Sequence, residues 1–260
     1  MVINTLDRQG SQKLWLPYWK AQKGSCLRLF CLHYAGGSAS LFRQWQQMMP
    51  PGVEVCAIQL PGREARISEA PFSEAAEVVQ TLAQVLTPYL GMPFILFGHS
   101  MGALLSFELA RQLRRENLPM PLHLFVSAHR APQLPYRLPR LHDLERDAFI
   151  QSLRRLSSIP AEVLANEEFL QHIIPLLRAD FALCEQHSYS PERPLDCSIS
   201  VFGGVADDRV TRQELLAWRE QTKAAFVLQM FPGDHFFLQS AQNQLVQVIA
   251  DVLMRFVDTL

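Results

Sequence analysis

The stretch FILFGHSMGALLSFE, residues 94–108, decides the fold of this chain. It predicts a buried strand, a tight turn and a helix, because four apolar residues lead into the turn and apolar residues recur at helical spacing after it. The turn carries the pattern Gly-x-Ser-x-Gly, which arises by chance in many proteins. Between a strand and a helix, however, this pattern is typical of a nucleophile elbow, in which a serine stands exposed at a sharp turn.

The glycines and the serine have different expected roles in this turn. Side chains at Gly98 and Gly102 would collide with the neighbouring strand and helix. Ser100 has to adopt a strained backbone conformation, and the first N–H groups of the helix that begins near Met101 point toward its hydroxyl. Ser100 is therefore the predicted nucleophile, and an ordinary glycine-rich turn is the alternative.

The composition restricts the classes to which the protein can belong. Of its 260 residues, 48% are hydrophobic and 19% are charged, which suits one large α/β domain with a sizeable core. Basic and acidic residues number 24 and 25, so charge gives no argument for nucleic acid or an anionic membrane as a partner. We expect neither a membrane span, which needs ~20 apolar residues, nor a signal peptide.

The spacing of the cysteines and histidines bears on the cellular compartment and on metal binding. The five cysteines are scattered and form no Cys-x-x-Cys pair, so we expect reduced thiols and a cytoplasmic location. Three histidines in the middle of the chain lack the spacing of metal ligands, so they are not expected to bind a metal. These histidines are His142, His172 and His187.

Strand and helix patterns alternate along most of the chain, which predicts a mostly parallel sheet with helices on both faces. Ser73 is expected to cap the N-terminus of a helix over residues 73–90. The predicted strands are residues 26–32, 53–58, 94–97, 122–128, 197–202 and 225–231. The predicted helical stretches between and after them are residues 39–49, 73–90, 101–117, 211–223 and 239–256.

The alternation stops between about residues 130 and 194. This region has no convincing strand, and its three helical pieces carry more apolar residues than a thin surface helix needs. We expect a helical lid insertion over Ser100, within a single domain that spans residues 1–260. A purely structural helical subdomain is the alternative. The predicted helical pieces are residues 144–156, 161–164 and 167–186.

An acid and a histidine follow Ser100 in the order of a catalytic triad. Asp207 comes just past the carboxyl end of a late strand, and His235 follows the last strand in a turn. The order Ser, Asp, His is that of the α/β-hydrolase fold. We expect His235 to remove the proton of Ser100, and Asp207 to hold the imidazole and stabilise its positive form.

The Gly-Gly loop after the first strand is the predicted second half of an oxyanion hole. It reads His-Tyr-Ala-Gly-Gly-Ser over residues 33–38, where glycines let backbone N–H groups approach a bound carbonyl. The predicted donors are the N–H groups of Ala35 and Met101. The loop is not a dinucleotide fingerprint, because Gly-x-Gly-x-x-Gly is absent.

Three neighbouring residues compete for the triad positions. Asp208 stays an alternative to Asp207. Asp234 directly precedes the histidine, but a neighbour in sequence rarely faces its partner's ring. His99 directly precedes the serine and is expected to pack beneath the elbow. Outside the triad, Arg63 could hold a phosphate, but a local salt bridge or exposure to solvent is the favoured interpretation.

These motifs together resemble those of type II thioesterases, the stand-alone editing thioesterases encoded with nonribosomal peptide and polyketide synthases. The resemblance extends over nearly the whole chain from about Leu27. Pro-Gly-Arg-Glu at residues 61–64 and Arg-Ala-Asp-Phe at residues 178–181 are much more specific than Gly-x-Ser-x-Gly. The matching stretches are residues 33–39, 59–64, 97–103, 177–181, 202–210 and 232–237.

The resemblance implies both a site and a substrate. The family's acid is the third residue after a Gly-Gly pair, which is Asp207 here, although Asp208 stands where a proline is common. The substrate implied is an acyl group in thioester linkage to the phosphopantetheine arm of an acyl or peptidyl carrier protein. The implied role is to clear misloaded or stalled acyl groups, without any cofactor. A monomer is expected.

Two other functions are alternatives at this point. A general esterase, lipase or acyltransferase would share the fold and the triad. A non-enzymatic module that only binds carrier proteins would share the fold, but the intact triad argues against it.

Overall fold

The computed structural model of the protein, which describes residues 13–156 and 166–260, is built on one sheet of six strands. The strands are β1 (Leu27–Leu32), β2 (Val53–Ala57), β3 (Phe94–His99), β4 (His123–Ser127), β5 (Ser198–Gly204) and β6 (Phe226–Phe231). They lie in the order β2-β1-β3-β4-β5-β6, and every neighbouring pair is parallel. The predicted parallel sheet is confirmed.

Helices cover both faces of this sheet, as predicted. The helices are α1 (Ala75–Leu86), α2 (Met101–Arg115), α3 (Arg146–Arg155), α4 (Glu167–Glu185), α5 (Arg212–Leu216), α6 (Phe237–Ser240) and α7 (Gln242–Val257). Phe30 of β1 packs with apolar residues of α1 and α2, whereas the preceding Leu29 packs with α7. Because both faces are covered, β3 at the centre is buried at every residue, and its first four residues are all apolar.

Residues 39–49 differ from the predicted helix. They form two short 3₁₀ helices, Ala39–Phe42 and Trp45–Met48. The side chains of Ala39, Phe42 and Trp45 are all buried at a spacing of three residues. A 3₁₀ helix has three residues per turn, so Ala39 and Phe42 lie on the same side of the first of these helices.

Other helix boundaries also differ from the prediction. Helix α1 begins at Ala75 with Glu74 as its N-cap, so Ser73 does not cap it. Residues 211–223 divide into α5, which a capping box of Thr211 and Glu214 starts, and a following 3₁₀ helix. The predicted last helix is interrupted at Ala241, which separates α6 from α7 and lets both pack in the same apolar cluster.

The region between residues 130 and 194 contains helices and no strand in the part that the structure describes. Helices α3 and α4 pack against each other through a small apolar cluster of their own, to which Phe149, Leu153 and Leu170 belong. We call residues 130–194 the helical insertion. Its predicted helical piece at 161–164 lies outside the described residues. The lid role of the insertion, and the single-domain assignment, stay predictions.

All five cysteines have free thiols. Cys31 and Cys56 lie on neighbouring strands, in the apolar clusters on opposite faces of the sheet, and are fully buried. Burial raises the pKa of both thiols well above its usual value, so they act as small packing residues. Among the described residues, no helix combines the length and the hydrophobicity needed to cross a membrane.

Candidate active site

The predicted site residues meet at the carboxyl edge of the sheet, where the loops after parallel strands converge. Ser100 follows β3, Asp207 follows β5 and His235 follows β6. The Oγ of Ser100 lies 2.9 Å from Nε2 of His235, and Nδ1 of the same ring lies 2.9 Å from Oδ2 of Asp207. Ser100 and His235 are 135 positions apart in the sequence, and Asp207 and His235 are 28 positions apart. Together the three side chains form the hydrogen-bonded series of a serine hydrolase.

The turn at Ser100 has the strained geometry of a nucleophile elbow. Ser100 has a φ of +53°, and its N–H donates to the carbonyl of Ser127 at 2.7 Å. A Cβ atom at Gly98 would lie 2.0 Å from the carbonyl oxygen of Gly102, and one at Gly102 would lie 2.2 Å from that of Leu32. The predicted collisions with helix and strand are confirmed.

Replacing Gly102 by alanine is expected to lower the free energy of unfolding by about 3 kcal/mol or more, the upper range for overpacking. The obstructing atom is a backbone oxygen of β1, which cannot rotate away. The matched control is Gly91→Ala, because a Cβ there would meet no atom within 4 Å. Urea unfolding would measure both variants, and equal stability of the two would contradict the role assigned to Gly102.

The carboxylate of Asp207 is held in the ionised form. Its side chain is 1% exposed, and Oδ1 accepts the N–H groups of Arg209 at 2.9 Å and Val210 at 3.2 Å. Burial alone would raise the pKa of Asp207, but the hydrogen bonds from His235 and these two N–H groups hold it below its usual value. An ionised carboxylate on Nδ1 can orient the imidazole and stabilise its protonated form.

Two other acids near the histidine have different surroundings. Asp208 is exposed, and in the described part of the chain no hydrogen bond joins it to His235. The Oδ1 of Asp234 accepts the N–H of Phe236 at 2.8 Å within its own turn. The carboxylate against the imidazole is therefore that of Asp207.

His99 lies beneath the elbow, as predicted. It is fully buried, with Nε2 2.9 Å from the carbonyl oxygen of His235 and Nδ1 2.8 Å from Oγ of Ser127. Burial, together with the nearby His235, lowers the pKa of His99 to about 3. The neutral ring therefore donates from Nε2 to the His235 carbonyl and accepts the Ser127 hydroxyl at Nδ1. His99 thus supports the backbone of the triad histidine and is not its competitor.

The loop after β1 presents one predicted oxyanion donor. Its Gly36 N–H donates to Oδ2 of Asp180 at 2.7 Å, and its Gly37 N–H donates to the carbonyl of Tyr34 at 2.9 Å. Ala35 lies beside Ser100 in the walls of two cavities. With the two glycine donors occupied, Ala35 is the residue of this loop that fits the predicted role.

The other predicted donor, Met101, is the first residue of α2. The first N–H groups of a helix have no intrahelical acceptor, and the helix dipole favours negative charge there. Met101 directly follows Ser100, the N-cap of this helix. The oxyanion roles of Ala35 and Met101 stay predictions.

Two cavities meet at the serine and share part of their lining. One has a volume of about 880 Å³ and the other of about 100 Å³, and Ser100 and His235 line both. The larger has apolar walls from the helical insertion, including Leu144 and Phe181. The smaller lies between Leu177 of the insertion and the loop after β1. The insertion therefore supplies part of the wall of the site.

Sequence reasoning missed the partner of Arg63. Its guanidinium forms a forked ion pair with Asp180, at 2.8 Å to Oδ1 and 3.0 Å to Oδ2, and the side chains are 5% and 1% exposed. The two residues are 117 positions apart and buried, so the favoured interpretation of Arg63, a local salt bridge or exposure to solvent, is wrong. A signal was available, because Asp180 lies three residues from Leu177 and from Leu183 on the buried stripe of α4. A carboxylate on such a stripe needs a cationic partner.

Comparison with known proteins places the chain among thioesterases over almost its entire length. The family described as "Thioesterase domain" matches residues 27–253. The gramicidin S biosynthesis protein GrsT of Aneurinibacillus migulanus is 44% identical over 239 residues, which cover 92% of this chain and 93% of that protein.

Two solved structures are similar in both sequence and fold. The RedJ thioesterase from the prodiginine pathway of Streptomyces coelicolor is 35% identical, with a TM-score of 0.82 over 92% of this chain and 98% of that one. The type II thioesterase BorB from the borrelidin biosynthetic cluster is 34% identical, with a TM-score of 0.81 over 90% of this chain and 95% of that one. Together with the parallel sheet, these likenesses establish the α/β-hydrolase fold.

Proposed function

Because the chain belongs to the thioesterase domain family, we propose that it removes acyl groups from the phosphopantetheine arms of carrier proteins in a nonribosomal peptide or polyketide pathway. Family membership makes it a hydrolase of thioester bonds. The observation that carries the proposal is the hydrogen-bonded series Ser100, His235 and Asp207 beside a cavity of about 880 Å³. The names of GrsT, RedJ and BorB supply the pathway class.

Acyl transfer to Ser100 is the first half of the proposed reaction. Nε2 of His235 accepts the hydroxyl proton while Oγ of Ser100 attacks the carbonyl carbon of the thioester. The ionised Asp207 stabilises the imidazolium that forms. The N–H groups of Ala35 and Met101 are the proposed donors to the oxyanion, and losing one such donor costs about 3 kcal/mol of transition-state stabilisation.

Hydrolysis of the acyl-enzyme is the second half. The tetrahedral intermediate collapses with cleavage of the C–S bond, and the thiol of the arm leaves with the proton that His235 returns. Water then attacks the ester carbonyl on Ser100, and His235 again acts as the base. A free carboxylic acid leaves and the serine hydroxyl is restored, so the proposed cycle needs neither a metal nor an organic cofactor.

The two cavities that meet at Ser100 support a substrate with two parts, the acyl group and the arm, joined at the reacting carbonyl. The larger cavity falls within the ~300–1,000 Å³ of typical ligand pockets, and Leu144, Phe181 and Val210 give it an apolar lining. It is the proposed acyl site. The smaller cavity, with Tyr34 and Phe236 in its wall, is the proposed path of the arm.

The proposed biological role is editing, in which misloaded or stalled acyl groups are cleared from the carrier. The proposed partner is therefore an acyl or peptidyl carrier domain, engaged by a monomeric enzyme. A cytoplasmic location is part of this proposal, because five free thiols suit a reducing compartment.

The test compares two substrates that carry the same acyl group. We expect kcat/KM to be about 100-fold higher on the acyl-carrier thioester than on a p-nitrophenyl ester, because contacts to the arm and carrier add binding energy in the transition state. Acyl-pantetheine, which has the arm without the protein, separates the two sources of that energy. A preference for the simple ester would replace the proposal by its alternative, a general esterase or acyltransferase.

A further inference from the structure

A buried ion pair joins the helical insertion to the loop after β2, and both of its members also bond to the loop after β1. Asp180 belongs to α4 in the insertion, and Arg63 belongs to the loop after β2. We propose that these are positioning residues, which set the geometry of the oxyanion loop, residues 34–37, and couple it to the position of the insertion. The inference rests on the proposed function, because it takes Ala35 as an oxyanion donor.

The carboxylate of Asp180 fixes one peptide plane of the loop. Its Oδ2 accepts the Gly36 N–H at 2.7 Å, and Gly36 has a φ of +77°. That N–H belongs to the planar unit between Ala35 and Gly36. Only the two dihedral angles of Ala35 separate this unit from the one that carries the Ala35 N–H. Fixing the first plane therefore restricts the directions in which the proposed donor can point.

The guanidinium of Arg63 contacts the last residue of the oxyanion loop, Gly37, and the residue that precedes the loop, His33. Its Nη1 donates to the carbonyl of Gly37 at 3.2 Å and lies 3.4 Å from Nε2 of His33. Burial and the charge of Arg63 lower the pKa of His33 to about 3, so this ring is neutral. Its Nδ1–H donates to the carbonyl of Tyr34 at 2.8 Å, which leaves Nε2 as an acceptor for Arg63.

Helix α4 also contacts the loop through an apolar side chain. The Cδ2 atom of Leu177 would lie 2.7 Å from a Cβ at Gly36, so the helix rests directly on that glycine. A shift of α4 would move both this contact and the acceptor of the Gly36 N–H. A buried ion pair adds little net stability but penalises any arrangement that separates its partners. The pair thus fixes the register of the insertion against the oxyanion loop.

Asp180→Asn tests this role with a change that preserves shape. The amide keeps one acceptor oxygen but loses the charge opposite Arg63. We expect kcat on an acyl-pantetheine thioester to fall about 10- to 100-fold, less than the 10²–10³-fold for complete loss of an oxyanion donor. KM should change by less than about twofold, because the oxyanion exists only in the transition state.

The matched control is Glu54→Gln. Glu54 is also a buried carboxylate paired with an arginine, at 3.0 Å from Arg28, but the pair lies near the amino ends of β1 and β2, away from the site. We expect this variant to lose stability and keep the kcat of the wild type. If Asp180→Asn behaves in the same way, the positioning role is wrong. If the wild-type protein hydrolyses no thioester, the proposed function fails instead.

A second variant and a second readout cover the case in which Asp180→Asn does not fold. Arg63→Lys keeps the charge but loses the forked geometry. Its kcat should fall by a smaller factor with KM unchanged, and an unchanged kcat would overturn the proposal. An alkyl boronic acid, which bonds to Ser100 and places an oxygen in the oxyanion hole, should bind more weakly by the factor lost in kcat/KM. Unchanged boronate affinity would likewise overturn it.

Discussion

Ser100→Ala is expected to lower kcat for thioester hydrolysis by roughly 10⁶-fold, the scale seen when a serine hydrolase loses its nucleophile. Without Oγ no acyl-enzyme forms, and Nε2 of His235 has no hydroxyl proton to accept. The oxyanion donors and the cavity remain, so a small acceleration over water should persist. Single-turnover hydrolysis of an acyl-pantetheine thioester, followed for hours, would measure the residual rate.

Ser106→Ala is the matched control for this experiment. Ser106 lies in helix α2, which begins directly after Ser100. It is fully buried, and its hydroxyl has no hydrogen-bond partner in the described parts of the chain. We expect its kcat to be that of the wild type. A Ser100→Ala variant that kept full biological activity would instead support the alternative of a carrier-binding module without catalysis.

Asp207→Asn is expected to lower kcat by about 10⁴-fold at neutral pH, the effect of this change in a serine protease triad. The side-chain amide can donate to Nδ1 of His235, which would favour the tautomer that carries its proton on Nε2. That tautomer cannot accept the proton of Ser100. The pH profile and kcat of the thioester reaction would measure the effect.

Asp208→Asn separates the two candidate acids. This change is as conservative as Asp207→Asn and lies one residue further along the chain. Asp208, however, is exposed and makes no hydrogen bond to the imidazole within the described residues. We expect its kcat to stay within about threefold of the wild type, as for most surface substitutions. A large loss in Asp208→Asn together with a small loss in Asp207→Asn would reverse the assignment.

The elbow could be predicted from the sequence because its determinants are local. Strand, turn and helix lie within 15 residues, and the clashes at Gly98 and Gly102 follow from the type of turn. The order of Ser100, Asp207 and His235 was sufficient to expect them at one edge, because every loop after a parallel strand reaches that edge.

The remaining features depend on contacts between distant parts of the chain. Arg63 and Asp180 are 117 positions apart, and no local pattern states which arginine a buried aspartate will meet. The hydrogen bond from His99 to the backbone of His235 spans 136 positions. The 3₁₀ geometry of residues 39–49 was likewise decided by packing, because helical propensity does not distinguish it from an α-helix.

Intact-protein mass spectrometry of an acyl-loaded carrier protein tests the central claim most directly. The loaded carrier would be incubated with the wild-type protein or with Ser100→Ala, across several short acyl groups. The account predicts that the wild type restores the free phosphopantetheine arm and that the variant leaves the acyl mass in place. If neither protein removes the acyl group while the wild type cleaves a simple ester, the carrier-directed thioesterase function is contradicted.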